Sequence, residues 1–171
     1  IAFPTMAINP KFHAPERQAW DVPALVRGVQ DGDRSALARG ITLVESHLAA
    51  DQPLAAELLT ALQKAPRGEM KTFRLGITGN PGAGKSTLIE ALGKHWTEAG
   101  HRVAVLAIDP SSQQHRGSIL GDKTRMELLG KEASAFVRPS PSAGALGGIH
   151  TQTGEVIQLF EVAGLDRKSV V

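Results

Sequence analysis

The sequence predicts an α/β fold, a three-layer sandwich with a mainly parallel sheet preceded by a small helical region. Three observations carry that reading. Apolar residues recur at helical spacing up to Leu62, a β-α-β-α-β-α order of segments follows, and the segment Arg102–Asp109 is apolar almost throughout. A run of that kind is what a parallel strand covered on both faces looks like.

Composition narrows the class further. The chain has 171 residues, 19 Lys+Arg against 17 Asp+Glu, 42% hydrophobic residues and no cysteine. Without cysteine there is no disulfide scaffold, iron–sulfur cluster, thiol nucleophile or thiolate zinc site, so any metal must sit on oxygen or imidazole. A formal charge of +2, with five Phe, two Trp and no Tyr, gives neither the electrostatic footprint nor the aromatic platform of a nucleic-acid module. No apolar run approaches the roughly 20 residues of a membrane span, so neither nucleic acid nor membrane is an expected partner.

In chain order, residues 1–20 are expected to form a disordered leader. Ile1 to Gln18 holds Pro4, Pro10 and Pro15 among charges and lacks the apolar core of a secretory signal. Residues 21–68 read as a helical region of two or three short helices. Asp21 and Asp33 are placed to cap helices beginning near Pro23 and Arg34, while Leu37, Ile41, Val44 and Leu48, then Leu54, Leu58 and Leu62, mark apolar faces. Gly28, Gly32 and Gly40 signal breaks or close packing. Ala65-Pro-Arg-Gly68 ends this region, and residues 69–171 form the α/β part. A strand is predicted over Thr72–Thr78, a helix over Lys85–Glu98 closed by Gly100, a strand over Arg102–Asp109, and a helix over Asp122–Lys131. A short strand over Ser134–Arg138, a Pro/Ser/Gly loop to Gly148 and a helix over Ile149–Ala163 complete the order.

The chemistry concentrates in Gly79, Asn80, Pro81, Gly82, Ala83, Gly84, Lys85 and Ser86. These residues fit G-x-x-x-x-G-K-[ST] in full and fall between a predicted strand and a predicted helix, the context that confirms a phosphate-binding P-loop. A random shuffle of the chain would hold the pattern about once in a hundred tries. Each residue type has a physical reason. Glycines can take the positive φ angles that turn successive amides toward phosphate oxygens, and the helix starting near Lys85 adds the positive end of its dipole. Lys85 brings a mobile cation to the β and γ phosphates, Ser86 offers a hydroxyl to Mg²⁺, and Thr87 is a further phosphate hydroxyl. The order G-x-x-G-x-G differs from the dinucleotide fingerprint, which argues against NAD or FAD.

Asp109 lies at the carboxyl end of its strand, on the edge where open α/β sheets place ligands. It fits a water-mediated Mg²⁺ partner, or a cap on the turn before Pro110. Asp122 fits a Mg²⁺ ligand or water-orienting group, or a helix N-cap. His115, Arg116, Lys123 and Arg125 make the neighbouring stretch basic, either to answer phosphate charge or as a solvated face. The loop from Arg138 to Gly148 suits a segment near the nucleotide or a partner, or a plain surface loop. The histidines at 47, 95, 101 and 150 show no metal-ligand spacing.

Taken in order, Gly-Ile-Thr-Gly-Asn-Pro-Gly-Ala-Gly-Lys-Ser-Thr87, Ala-Ile-Asp-Pro-Ser-Ser112, Gly-Ser-Ile-Leu-Gly-Asp-Lys-Thr-Arg-Met126 and Gly-Ala-Leu-Gly-Gly148 resemble the methylmalonyl-CoA mutase-associated GTPase family, also described as a transport-system kinase. The resemblance runs from about Ala24 to Asp166 and includes Arg-Ser-Ala-Leu-Ala-Arg-Gly-Ile-Thr-Leu-Val-Glu-Ser46. It implies a P-loop NTPase fold and a cytoplasmic, homodimeric, Mg²⁺-dependent GTPase that chaperones a cobalamin-dependent mutase. It also implies phosphate and metal roles for Lys85 and Ser86 and metal-site roles for Asp109 and Asp122. An ATP-dependent kinase and a non-catalytic nucleotide-binding remnant are the alternatives.

The pattern departs from the family after Asp166, where the resemblance implies an apolar strand and then a guanine-reading loop. Here the sequence reads Arg-Lys-Ser-Val-Val171, and Arg167-Lys168 is not how a buried strand is expected to begin. The sequence reading is therefore of a truncated or frame-shifted product with an incomplete, open-edged sheet, in which no residue is assigned to the base.

Overall fold

A computed structural model describes residues 19–64, 72–80, 82–109, 126–141 and 152–170. The expected leader, apart from Ala19 and Trp20, lies outside them, as do Pro81, the stretch 110–125 and the loop 142–151.

Three helices open the described chain: α1 (Val22–Gln30), α2 (Arg34–Val44) and α3 (Gln52–Gln63). The two predicted caps form. Asp21 accepts from the Ala24 amide at 2.9 Å and Asp33 from the Ser35 amide at 2.8 Å, satisfying donors that a helix start leaves without partners. Asp51 precedes α3 without capping it; its buried carboxylate instead accepts from Trp20 Nε1 at 3.0 Å and from Ser46. Gly28 and Gly40 are close-packing sites. A Cβ at Gly28 would lie 2.5 Å from the Ala36 Cβ, and one at Gly40 would lie 3.2 Å from Leu159.

The α/β part runs β1 (Phe73–Gly76), α4 (Lys85–Glu98), β2 (Val103–Asp109), α5 (Glu127–Lys131), β3 (Ala135–Pro141), α6 (Thr153–Val162) and β4 (Arg167–Val170). The four strands form one parallel sheet in the order β1-β4-β2-β3. Side chains alternate across β2 and set the layers. Ala104, Leu106 and Ile108 join a core with α1, α2, α3 and α6, while Val103, Val105 and Ala107 join a second core with Ile89 of α4 and Leu129 of α5. Helices thus cover both faces, and α1–α3 share one continuous core with α6 and the sheet.

β3 continues to Pro141 rather than ending at Arg138. Pro139 and Pro141 offer no ladder N–H, which a strand tolerates when it lies at a sheet edge; that edge position is not visible in the chain order. The helix before β3 is described only from Glu127, and the one before β4 only from Thr153.

The expectation that no buried strand begins at Arg167-Lys168 is wrong. Arg167–Val170 is β4, placed between β1 and β2, and Lys168 is 1% exposed. Its ammonium donates to Glu161 of α6 at 3.0 Å, and the same Glu161 oxygen accepts from Arg74 Nη2 at 2.6 Å. Burial pushes the Glu161 carboxyl up, but hydrogen bonds from Arg74 and Lys168 and their charges outweigh it and hold the group below the ordinary value of 4.5. Burial pulls the Lys168 ammonium below its ordinary 10.5, and Glu161 only partly offsets that.

A prediction follows from this asymmetry. In Lys168→Met, Glu161 keeps Arg74 and the pH dependence that Lys168 contributes at the alkaline end is removed. In the parent chain stability rises with pH at both ends of the scale, for different reasons. Glu161, depressed in the folded state, stabilises above its ordinary value and loses that contribution as pH falls below it. Lys168, also depressed, costs stability while the unfolded chain holds its proton, so stability rises as pH climbs through its folded value toward 10.5. Thermal unfolding from pH 3 to 10 checks both, and the alkaline rise should be absent from Lys168→Met.

Candidate nucleotide site

The site is built where β1 hands over to α4. After Gly76 the chain leaves the sheet, Ile77 donating a last bond to the Val170 carbonyl at 2.8 Å. The loop turns on itself through Ala83 N to the Asn80 carbonyl at 3.2 Å. Gly82 and Gly84 both have φ +82°, and Gly79 has φ +153°. A Cβ at Gly82 or Gly84 would meet nothing within 4 Å, so what these two positions demand is left-handed backbone rather than space. Gly84→Ala is accordingly expected to cost about 1–2 kcal/mol in thermal unfolding without a steric clash.

Gly84 is also the N-cap of α4, and it provides no side-chain cap. The first intrahelical bond runs from Leu88 N to the Gly84 carbonyl at 2.9 Å. The amides of Lys85, Ser86 and Thr87 therefore precede any i→i−4 acceptor at the positive end of a 14-residue helix. Gly82, Ala83, Gly84 and Thr87 are exposed, and Lys85 and Ser86 half-buried. This is an open cradle of N–H groups suited to an anion.

Lys85 folds back over that cradle. Its Nζ donates to the Gly79 carbonyl at 2.9 Å and to the Asn80 carbonyl at 3.1 Å. Both acceptors are neutral, so a phosphate oxygen arriving between the lysine and the amides would offer the ammonium a stronger, charge-assisted partner. Ser86, one residue on, puts a hydroxyl on the first turn of α4, an oxygen donor of the kind Mg²⁺ takes alongside phosphates.

The sheet register relates Asp109 to this loop. Gly76, Val170, Leu106 and Arg138 form one cross-strand row. Gly79 and Asp109 each lie three residues beyond it, on the carboxyl edge, with β4 between their strands, so β1 and β2 are about 10 Å apart there. The backbone thus brings the loop and Asp109 to one edge. Asp122 and Pro81 fall outside the described residues, as do His115, Arg116, Lys123, Arg125 and the Gly-Ala-Leu-Gly-Gly148 motif. Among the described residues no cluster of three or more His, Asp or Glu forms a metal cage, and no helix is long and apolar enough to cross a membrane.

One group at this edge has no signal in the sequence. Glu45, which ends α2, accepts from Arg138 Nη2 at 2.6 Å and from Ser140 Oγ at 2.6 Å. The partners are more than ninety residues apart in the chain, and only the packing of α2 on the sheet unites them.

Comparison with known proteins gives a consistent result. A model of the methylmalonyl-CoA mutase-associated GTPase MeaB matches residues 37–170. A Caulobacter vibrioides relative described as a GTPase is 57% identical over 148 residues, 86% of this chain and 44% of its own. The GTPase ArgK of Escherichia coli is 48% identical over 141 residues, covering 82% of this chain and 42% of its own length. The mouse methylmalonic aciduria type A homolog is 49% identical, covering 85% and 37%. A crystal structure of an LAO/AO transport system kinase superposes with a TM-score of 0.68 at 35% identity, over 90% of this chain and 44% of that one. The chain therefore spans less than half the length of these relatives. With the family model matched across most of its length and the P-loop strand, cradle and helix in place, this chain belongs to the methylmalonyl-CoA mutase-associated GTPase (MeaB) family.

Proposed function

We propose that the chain carries the nucleotide-binding region of a Mg²⁺-dependent GTPase that serves as chaperone to a cobalamin-dependent methylmalonyl-CoA mutase. The observation that carries this reading is the uncapped start of α4 behind two left-handed glycines, with Lys85 resting on carbonyls of its own loop. In this reading the amides of residues 82–87 receive the phosphates. Lys85 leaves the Gly79 and Asn80 carbonyls for the β and γ oxygens, where its charge opposes the charge that develops during transfer. The oxygen donors at this edge fit a hard divalent cation, which would supply positive charge against the phosphates. Ser86 would hold it directly, Asp109 through water, and Asp122 would ligate it or orient the attacking water.

The names of relatives support the finer parts. ArgK is named a GTPase, the family model is named for association with the mutase, and the mouse relative is named for methylmalonic aciduria. We read residues 21–68 as the helical region and 69–171 as the GTPase part, within a complete protein that is a cytoplasmic homodimer. The similar solved structure is named a kinase, which favours a second reading, an ATP-dependent kinase. Turnover decides between them. Release of phosphate from GTP and not from ATP, lost in Lys85→Ala, supports the GTPase reading. Transfer of labelled γ-phosphate from ATP to an acceptor, lost in the same variant, supports the kinase.

A further inference from the structure

We propose that Glu45, in the helical region, is a positioning residue for the metal-binding edge of the nucleotide site. The proposal rests on the reading of Asp109 as a Mg²⁺ partner, and starts from how β3 is fastened. As an edge strand, β3 has one neighbour among the described strands, β2. Its last residues, Arg138, Pro139, Ser140 and Pro141, pair with Leu106, Ala107, Ile108 and Asp109. Two of the four are prolines, at positions that face the open side of this edge strand.

The two that are not prolines are the two that Glu45 holds. Arg138 and Ser140 alternate with the prolines, so they share a face of the strand, and each donates to a different oxygen of one carboxylate at 2.6 Å. Arg138 also reaches Thr42 Oγ1 of α2 at 3.3 Å. The Glu45 side chain is 8% exposed, so this is a desolvated, charge-assisted clasp rather than a surface pair of little consequence. The end of this edge strand, paired on one side only, thus lies beside Asp109 and is secured from α2.

Glu45 touches neither phosphate nor metal in this arrangement. It acts through β3, which carries the partner row of Asp109. When the clasp is lost, the end of β3 frays and Asp109 loses the neighbour that fixes its place on the edge, while the P-loop after β1, on the far side of β4, is left as it was. Metal affinity should therefore fall without a matching fall in metal-free nucleotide affinity. Outer-shell groups that orient metal partners are typically worth about 10- to 100-fold in metal affinity.

The test measures retention of fluorescent GDP by the full chain against Mg²⁺ concentration, and separately GDP affinity in EDTA. The variants are Glu45→Ala, Glu45→Gln and Asp109→Asn, each with its unfolding temperature. In Glu45→Ala the Mg²⁺ half-point should rise about tenfold while affinity in EDTA stays within about twofold. Glu45→Gln, which keeps one acceptor oxygen and loses the charge, should fall between Glu45→Ala and the parent. An unchanged Mg²⁺ half-point in Glu45→Ala, or an equal loss with and without Mg²⁺, would overturn the proposal, the latter by showing a merely structural role. The underlying reading fails separately, if Asp109→Asn leaves the Mg²⁺ dependence unaltered or the parent chain retains no GDP, and the proposal falls with it.

Discussion

Lys85→Ala is expected to weaken Mg²⁺-GDP binding by about 10- to 100-fold, the effect of losing charge-assisted hydrogen bonds worth about 1.5–3 kcal/mol. Among the described residues, the parent's Nζ bonds to the Gly79 and Asn80 carbonyls and fastens no other element of the fold. The variant's unfolding temperature in the absence of nucleotide should therefore stay within a few degrees of the parent. Calorimetric titration of both proteins, with unfolding followed in parallel, checks the two halves of the expectation. Loss of affinity with an equal collapse of stability would mean that the lysine is a structural brace of the loop.

The second large effect lies in the core. Phe160, on α6, is 1% exposed and meets Phe136 of β3 edge-on, with ring centroids 5.8 Å apart and planes at 62°. The same cluster contains Leu37 and Ile41 of α2 and Leu58 and Leu62 of α3. Phe160→Ala opens a cavity where the helical region, α6 and the sheet converge, and should cost about 3–5 kcal/mol. At this chain length that lowers the midpoint by about 6–20 °C. Thr60→Ala, on an exposed face of α3, should stay within about 0.5 kcal/mol. If Phe160→Ala proved as mild as Thr60→Ala, α1–α3 would not be integral to the fold.

The parts of this fold that the sequence announces are those governed by local chemistry. α4 runs from Lys85 to Glu98, as predicted, because Gly84 and Gly100 punctuate it and both adopt positive φ. The Asp21 and Asp33 caps, and the two-faced burial of β2, follow equally local rules. The errors arise where a distant partner changes the rule. Lys168 looks unfit for a buried strand because only the packing of α6 and β1 around β4 shows that Glu161 and Arg74 converge beside it. Pro139 looks like the end of β3 because edge position is a property of the sheet, not of the segment. Glu45 reads as an ordinary helix-end carboxylate until α2 packs against β3.

The site divides along the same line. The residue types of the P-loop, and the edge on which Asp109 sits, are legible because strand–turn–helix geometry is encoded within a dozen residues. The resting pose of Lys85 on its own loop is not, since the motif specifies a phosphate partner and says nothing of what the ammonium does without one.

The most direct test of the central claim is to record amide resonances of Gly79, Gly82, Gly84, Lys85, Ser86 and Thr87 in a ¹⁵N-labelled chain as Mg²⁺-GDP is added. Large, saturable shifts concentrated on these amides, lost in Lys85→Ala, are the expected result. Saturable shifts that leave these six amides unmoved and fall elsewhere would contradict the assignment of this cradle as the phosphate site.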